Sequence, residues 1–129
     1  QFQKAENKGA LIGRPLKIAM LPPRDVLYAR IDARFDVMLE QGAMEEVRQF
    51  INRQLDPSLP LMKALGVTAL KAVLDKEMTI DEAAYIAKRD SRHYAKRQMT
   101  WLRNNYNAQI TLNTKLSESL MESIFSLIR

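Results

Sequence analysis

The sequence predicts a mostly helical chain with two short strands belonging to a sheet whose other strands come from elsewhere. Three observations carry that expectation. Apolar residues recur at helical spacing over most of the length. Prolines and glycines (Pro22-Pro23, Gly42, Pro57, Pro60) divide that period into separate helices. Only LKIAML at 16–21 and QITL at 109–112 have strand length, and two short strands cannot satisfy their backbones alone.

In chain order, residues 1–14 are polar, carry Gly9 and Gly13, and read as a loop or frayed end. They begin QFQKAENKGALIG, without Met, which looks like a cut, so the chain is expected to be a fragment of something longer. After the strand at 16–21, Pro22-Pro23 is a stop. A helix is predicted over 25–41, with Leu27, Ile31, Phe35, Met38 and Leu39 as its apolar stripe and Gly42 as its C-terminal cap. A second is predicted over 44–55, ending before Asp56-Pro57. A third is predicted over 60–76, opened by Pro60, whose missing N–H would be unpaired in a first turn anyway. Gly66 inside it costs about 1 kcal/mol relative to alanine, so it marks either close approach of a backbone or ligand, or a helix packing point. Thr79-Ile80-Asp81-Glu82 is a capping box that starts a long helix to about Asn105. The strand at 109–112 follows, then a terminal helix over 117–129 with Leu120, Ile124, Leu127 and Ile128 on one side.

Composition excludes several chemistries. The 129 residues suffice for one domain and contain no cysteine, so there is no disulfide framework, thiolate metal site or cysteine nucleophile. The single histidine, His93, cannot build a multi-histidine metal site. No run of about 18 apolar residues offers a membrane span, and no secretory signal is recognisable. These absences point weakly to the cytoplasm.

The charge is concentrated. Residues 88–103, KRDSRHYAKRQMTWLR, hold Lys88, Arg89, Arg92, Lys96, Arg97 and Arg103 against Asp90 alone, and the rest of the chain cancels, so this stretch accounts for the net charge of +5. At about 100° per residue, Arg89, Arg92, Lys96 and Arg103 fall within an arc of roughly 60°, with Thr100 and His93 beside them. The other side carries Ile80, Ala83, Ala84, Ala87, Tyr94, Trp101 and Leu102, an apolar back to a basic front. Charge runs are often solvated faces. Those usually mix signs, whereas stacking like charges costs a few tenths of a kcal/mol per pair. A polyanion would compensate, and nucleic acid fits better than membrane because the apolar side resembles a core face.

No GxxxxGK[ST] loop, HExxH or GxSxG is present. The acidic pairs Asp32/Asp36 and Glu45/Glu46 read as surface ion pairs. Arg24, Arg30 and Arg34 follow a strand end and a proline turn, where arginines could reach an oligophosphate or could bridge to Asp32 and Asp36.

At this point the residues carry a resemblance. AKRQMTWLRNN at 95–105 resembles the C-terminal hallmark of tRNA dimethylallyltransferases, the tRNA isopentenyltransferases of bacteria. PPRDVLYARIDARFDVMLEQGAMEEVRQF at 22–50 is similar to the family pattern R-x-x-L-x-x-RI-x-x-R-x-x-x-ML-x-x-G-x-x-x-EV. LMKALGVTAL at 61–70 resembles its short glycine segment, and TIDEAAYIAKRDSRHYAKRQ its helix leading into the hallmark. The likeness runs over about 16–112, most of the chain.

The resemblance implies transfer of a dimethylallyl group from dimethylallyl diphosphate to the adenosine 3′ of the tRNA anticodon. It implies an α/β P-loop fold with a parallel sheet, a base flipped from the anticodon stem-loop, and Mg²⁺ with the P-loop on the diphosphate. The P-loop and the aspartate base are absent from these residues, so the chain alone is expected to be inactive and to hold no catalytic residue or metal ligand. Residues 1–15 are then a loop or frayed end, 16–112 the C-terminal part of the transferase core, and 113–129 a terminal helix. Carried over residue by residue, Lys63, Ala64, Leu65, Gly66, Val67 and Thr68 are one tRNA-binding segment. Val67-Thr68 departs from relatives that carry an aromatic and a basic residue there, which weakens a contact from Thr68. Lys96, Arg97, Gln98, Met99, Thr100, Trp101, Leu102 and Arg103 are a second segment, with Arg89 and Arg92 on the same face. Arg30 and Arg34, with Arg24 in reserve, are the candidates for the diphosphate. Trp101 reads as a packing anchor ahead of base stacking. The intact enzyme is expected to be a monomer without membrane attachment, and the fragment to self-associate. Rival readings are a stand-alone helical nucleic-acid-binding module and a helical domain docking an acidic protein.

Overall fold

The computed structural model describes residues 16–54, 56, 58–114 and 117–126. Proline sets the first boundary. Strand β1 (Ile18–Met20) ends just before Pro22-Pro23, and Pro23, at φ −51° and ψ 141°, turns the chain into helix α1 (Arg24–Glu40). Gly42 then takes φ +98°, a left-handed conformation that folds helix α2 (Ala43–Asn52) back onto α1, as its cap role requires. Within the expected stripe of α1, Phe35 is buried and Leu27, Ile31 and Leu39 are half-buried. Met38 is a correction: it is 43% exposed, at the edge of the stripe.

The single helix expected over 60–76 is split. Pro60–Lys63 makes one 3₁₀ turn, Ala64 is extended, and Gly66 sits at φ +88° before helix α3 (Val67–Leu74). Only glycine fits at this turn. A Cβ on Gly66 would lie 3.1 Å from Cε2 of Phe35 and 3.9 Å from Cβ of Ala87. Gly66 is therefore no helix interior: it is a side-chain packing point at a turn, the second of the two roles open to it.

Helix α4 (Ile80–Asn105) starts on the expected capping box. The Thr79 hydroxyl oxygen accepts from the Glu82 N–H at 3.3 Å, and the Glu82 carboxylate accepts from the Thr79 N–H at 2.8 Å and from its hydroxyl at 2.9 Å. The Thr79 N–H, then its hydroxyl, hold the Glu82 carboxyl below the usual glutamate range. The main core joins Phe35 of α1, Ala43 and Val47 of α2, Ala69 and Leu70 of α3, and Ala83 and Ala87 of α4. Alanine at the last two positions, 0% and 1% exposed, leaves room for α3 and Phe35 to approach the α4 backbone.

The two strands pair with each other, as members of the parallel sheet the sequence calls for. Strand β2 (Ile110–Leu112) pairs with β1 in parallel, Ile18 opposite Ile110 and Met20 opposite Leu112. The Lys17 N–H donates to the Gln109 side-chain oxygen at 2.7 Å, and the Leu21 N–H to the Leu112 carbonyl at 2.8 Å, extending the ladder at both ends. Parallel strands need a long crossover, and here it is the whole α1–α4 bundle. Among the described residues each strand has a strand neighbour on one edge only. Helix α5 (Glu118–Ser126) closes the described chain; Leu127 and Ile128 of its expected apolar side lie outside the described residues, as do residues 1–15 and Leu55. No helix among the described residues is long and apolar enough to cross a membrane.

Candidate nucleic-acid interface

The buried positions of α4 are Ala83, Ala87, Ala95 and Met99, all separated by multiples of four. Four residues turn a helix through about 400°, so such a stripe drifts by roughly 40° per step and about 160° from first to last. The two halves of α4 therefore bury different sides. A single averaged arc puts Tyr94 and Trp101 on the apolar back, yet they are 47% and 57% exposed. Among the described residues Trp101 does not serve as a packing anchor.

The drift also divides the cationic face. Arg92 Nη1 donates to both carboxylate oxygens of Asp32 at 2.7 Å, and Lys88 meets Asp36 at 2.5 Å. Arg89 pairs with its neighbour Asp90 at 2.9 Å. Arg89 and Arg92 thus have carboxylate partners within the chain, unlike the rest of the expected tRNA-binding arginines on α4. The cause is the antiparallel packing of α1 on α4, seen in the order of the two pairs: Asp32 with Arg92, Asp36 with Lys88. On α1, Arg30 and Arg34 lie roughly 160° round from those aspartates, so the aspartates bridge to α4 and not to these arginines. Lys96, Arg97 and Arg103 are exposed, and among the described residues no carboxylate lies in ion-pair range of them.

Lys96 and Arg97 line an open groove of about 580 Å³ on the C-terminal half of α4, together with His93, Thr100, Trp101, Asn104 and Asn105. The Arg97 guanidinium stands 5.8 Å from the Tyr94 ring centroid. The Thr100 hydroxyl donates to the Lys96 carbonyl at 3.0 Å, and the Asn105 amide to the Trp101 carbonyl at 3.1 Å, so both groups are held against the helix. Of the expected segment, Gln98 is exposed and Leu102 half-buried. Met99 is 6% exposed and faces inward. Arg103 borders a second hollow of about 400 Å³ with Leu102, Tyr106 and the sheet residues Ala19, Leu21 and Thr111. His93, Asn104 and Asn105 are additions to the expected site residues. Their signal is present in the sequence: they continue the Arg97–Trp101 arc at spacings of three and four.

The other expected segment is only partly presented. Lys63, Leu65 and Thr68 are exposed, while Ala64, Gly66 and Val67 are half-buried. Gly66 lies against Phe35 and Ala87, and Ala87 is about 14 Å along α4 from Lys96 at 1.5 Å per residue. The two segments thus share one body but occupy separate stations on it. Arg24, Arg30 and Arg34 are exposed. The register of the α1–α4 ion pairs puts Arg24 level with Thr100, at the end that carries the groove, with Arg30 and Arg34 further down α1 on another face. The structure does not gather the three arginines into one cluster. No three carboxylate or imidazole groups come together in a metal-binding arrangement among the described residues.

The family model described as IPP transferase matches residues 1–105. The tRNA dimethylallyltransferase of Maricaulis maris is 50% identical over 111 residues, covering 86% of this chain and 36% of the relative. That of Bradyrhizobium sp. strain BTAi1 is 61% identical over 83 residues, 64% of this chain and 27% of the relative. Among solved structures, the tRNA delta(2)-isopentenylpyrophosphate transferase of Staphylococcus epidermidis superposes with a TM-score of 0.78 at 32% identity, covering 88% of this chain and 37% of that one. The full-length tRNA isopentenylpyrophosphate transferase of Bacillus halodurans gives 0.74 at 35% identity, covering 92% and 40%. The chain spans about a third of the length of the curated relatives it matches.

Proposed function

This chain belongs to the IPP transferase family, and from that premise we propose that it is the C-terminal part of a tRNA dimethylallyltransferase. In the whole enzyme a dimethylallyl group passes from dimethylallyl diphosphate to the adenosine 3′ of the anticodon. This part grips the anticodon stem-loop through the C-terminal half of α4, aided by Lys63 and its neighbours. Arg30 and Arg34, with Arg24 in reserve, reach the diphosphate. Stabilising the charge of the leaving diphosphate is what arginines contribute to such a transfer. The P-loop, Mg²⁺ and the base come from segments outside this chain, whose strands would join the open edges of β1 and β2. The enzyme works in the cytoplasm as a monomer.

One observation carries this reading. Lys88, Arg89 and Arg92 are matched by Asp36, Asp90 and Asp32, whereas among the described residues Lys96 and Arg97, which line the groove, and Arg103, at the neighbouring hollow, have no carboxylate in ion-pair range. Unmatched like charges on neighbouring turns repel, and a phosphate backbone relieves that. The test is salt-titrated binding to an anticodon stem-loop, to duplex DNA and to an acidic peptide. Preference for the stem-loop with a steep salt dependence is expected. Equal binding of all three would leave only a generic basic surface. No prenyl transfer is expected from the 129 residues alone, and turnover by them would overturn the assignment of base and P-loop to other segments.

A further inference from the structure

We propose that Trp101 is a stacking platform for an unpaired nucleobase, with the groove around it built for single-stranded RNA and not for duplex. This rests on the tRNA-binding reading but goes beyond it, since cations alone would hold a phosphate chain of any secondary structure. The indole is 57% exposed and forms part of the groove wall. Lys96 and Arg97 lie about one turn before it and Asn104 about one turn after it, all lining the same groove, while the Asn105 amide stays on the Trp101 carbonyl. Cation, aromatic face and amide thus succeed one another along the helix. That order suits a phosphate, a base plane and a base edge in turn.

The chemistry selects the occupant. Every base presents a π face, and stacking on an aromatic side chain is worth a substantial part of single-strand affinity. In a duplex those faces are already stacked on neighbouring pairs. An acidic peptide could satisfy Lys96 and Arg97 but would leave the indole face without a planar partner. The unmatched cations supply the charge complementarity that a peptide of neutral character would lack.

Trp101 is the only tryptophan of the chain, so its fluorescence reports on this groove alone. The 129-residue chain is titrated with an RNA hairpin bearing an unpaired loop and with a blunt RNA duplex of equal charge, at several salt concentrations. The hairpin is expected to quench the indole and shield it from acrylamide; the duplex is expected to bind more weakly, with salt dependence but without quenching. Trp101→Leu should lose about tenfold in hairpin affinity and most of the hairpin preference while keeping the salt slope. Trp101→Phe should restore part of it, and circular dichroism should show α4 intact in both variants. Salt-dependent binding of both RNAs without quenching, or an unchanged preference in Trp101→Leu, overturns the stacking role and leaves the RNA interface standing. Absence of any salt-dependent RNA binding overturns both.

Discussion

Replacing Gly66 by alanine should destabilise the chain more than the same change at Gly42, and the local geometry sets the difference. Both glycines have positive φ, +88° and +98°. A side chain costs about 1–2 kcal/mol in the left-handed region that Gly42 occupies, and no less at Gly66, whose ψ of −31° lies outside that region. At Gly42 the new methyl meets nothing within 4 Å, so that cost is the whole effect. At Gly66 it would stand 3.1 Å from Cε2 of Phe35, a ring only 7% exposed and therefore hemmed in. Overpacking of such a site adds about 1–3 kcal/mol. Gly66→Ala should thus cost about 2–5 kcal/mol and Gly42→Ala about 1–2 kcal/mol, read as shifts of the urea midpoint at constant slope. Phe35→Leu removes the opposing ring carbon. In that background the penalty at Gly66 should fall toward the Gly42 value, a coupling that a double-mutant cycle measures. Equal costs at the two glycines, or strict additivity with Phe35→Leu, would refute the steric account of the glycine before α3.

The cationic face separates by role. Lys96→Ala with Arg103→Ala, in the full-length enzyme, should weaken tRNA binding and reduce the salt slope by about one unit for each phosphate no longer neutralised. Arg92→Ala should leave that slope alone and lower stability by up to about 1 kcal/mol, because its partly exposed pair with Asp32 is internal; thermal melts and filter binding distinguish the two results. Arg34→Ala in the full-length enzyme should reduce turnover of dimethylallyl diphosphate while tRNA affinity holds, and a parallel fall in both would remove Arg34 from the diphosphate. Because the Glu82 carboxyl is held low by Thr79, its stabilising effect is complete above the ordinary glutamate range and disappears as pH falls through the lowered value. Glu82→Gln should therefore be less stable than the parent chain at neutral pH and converge with it in acid.

Local signals in the sequence located most elements. Pro22-Pro23, Gly42 and the Thr79–Glu82 box act through neighbours within a few residues, so their consequences at β1, α1 and α4 are readable without knowing the fold. The failures are all non-local. Residues 60–76 have helical period, and the crowding that makes glycine necessary at the break comes from the ring of Phe35, far away in sequence. Arg92 looks free on a helical wheel, because Asp32 reaches it only once α1 lies antiparallel to α4. Trp101 is misplaced when one apolar arc is averaged over a helix whose buried side moves. The pairing of β1 with β2 is illegible because either could have joined other strands. Lys96, Arg97 and Arg103 read as basic, but their lack of carboxylate partners among the described residues is a property of the packed bundle.

The wandering inner seam of α4 gives its far end a definite heading. Ala83 and Ala87 fix the rotation of the helix against the bundle, and everything beyond inherits that phase. Removing a single residue between Ala87 and Lys96 would swing the Trp101 groove by about 100°, whereas inserting seven would bring it back to within about 20° of its bearing. Length changes in this span should thus be tolerated by whole-heptad arithmetic or not at all, even where every side chain of the groove is kept.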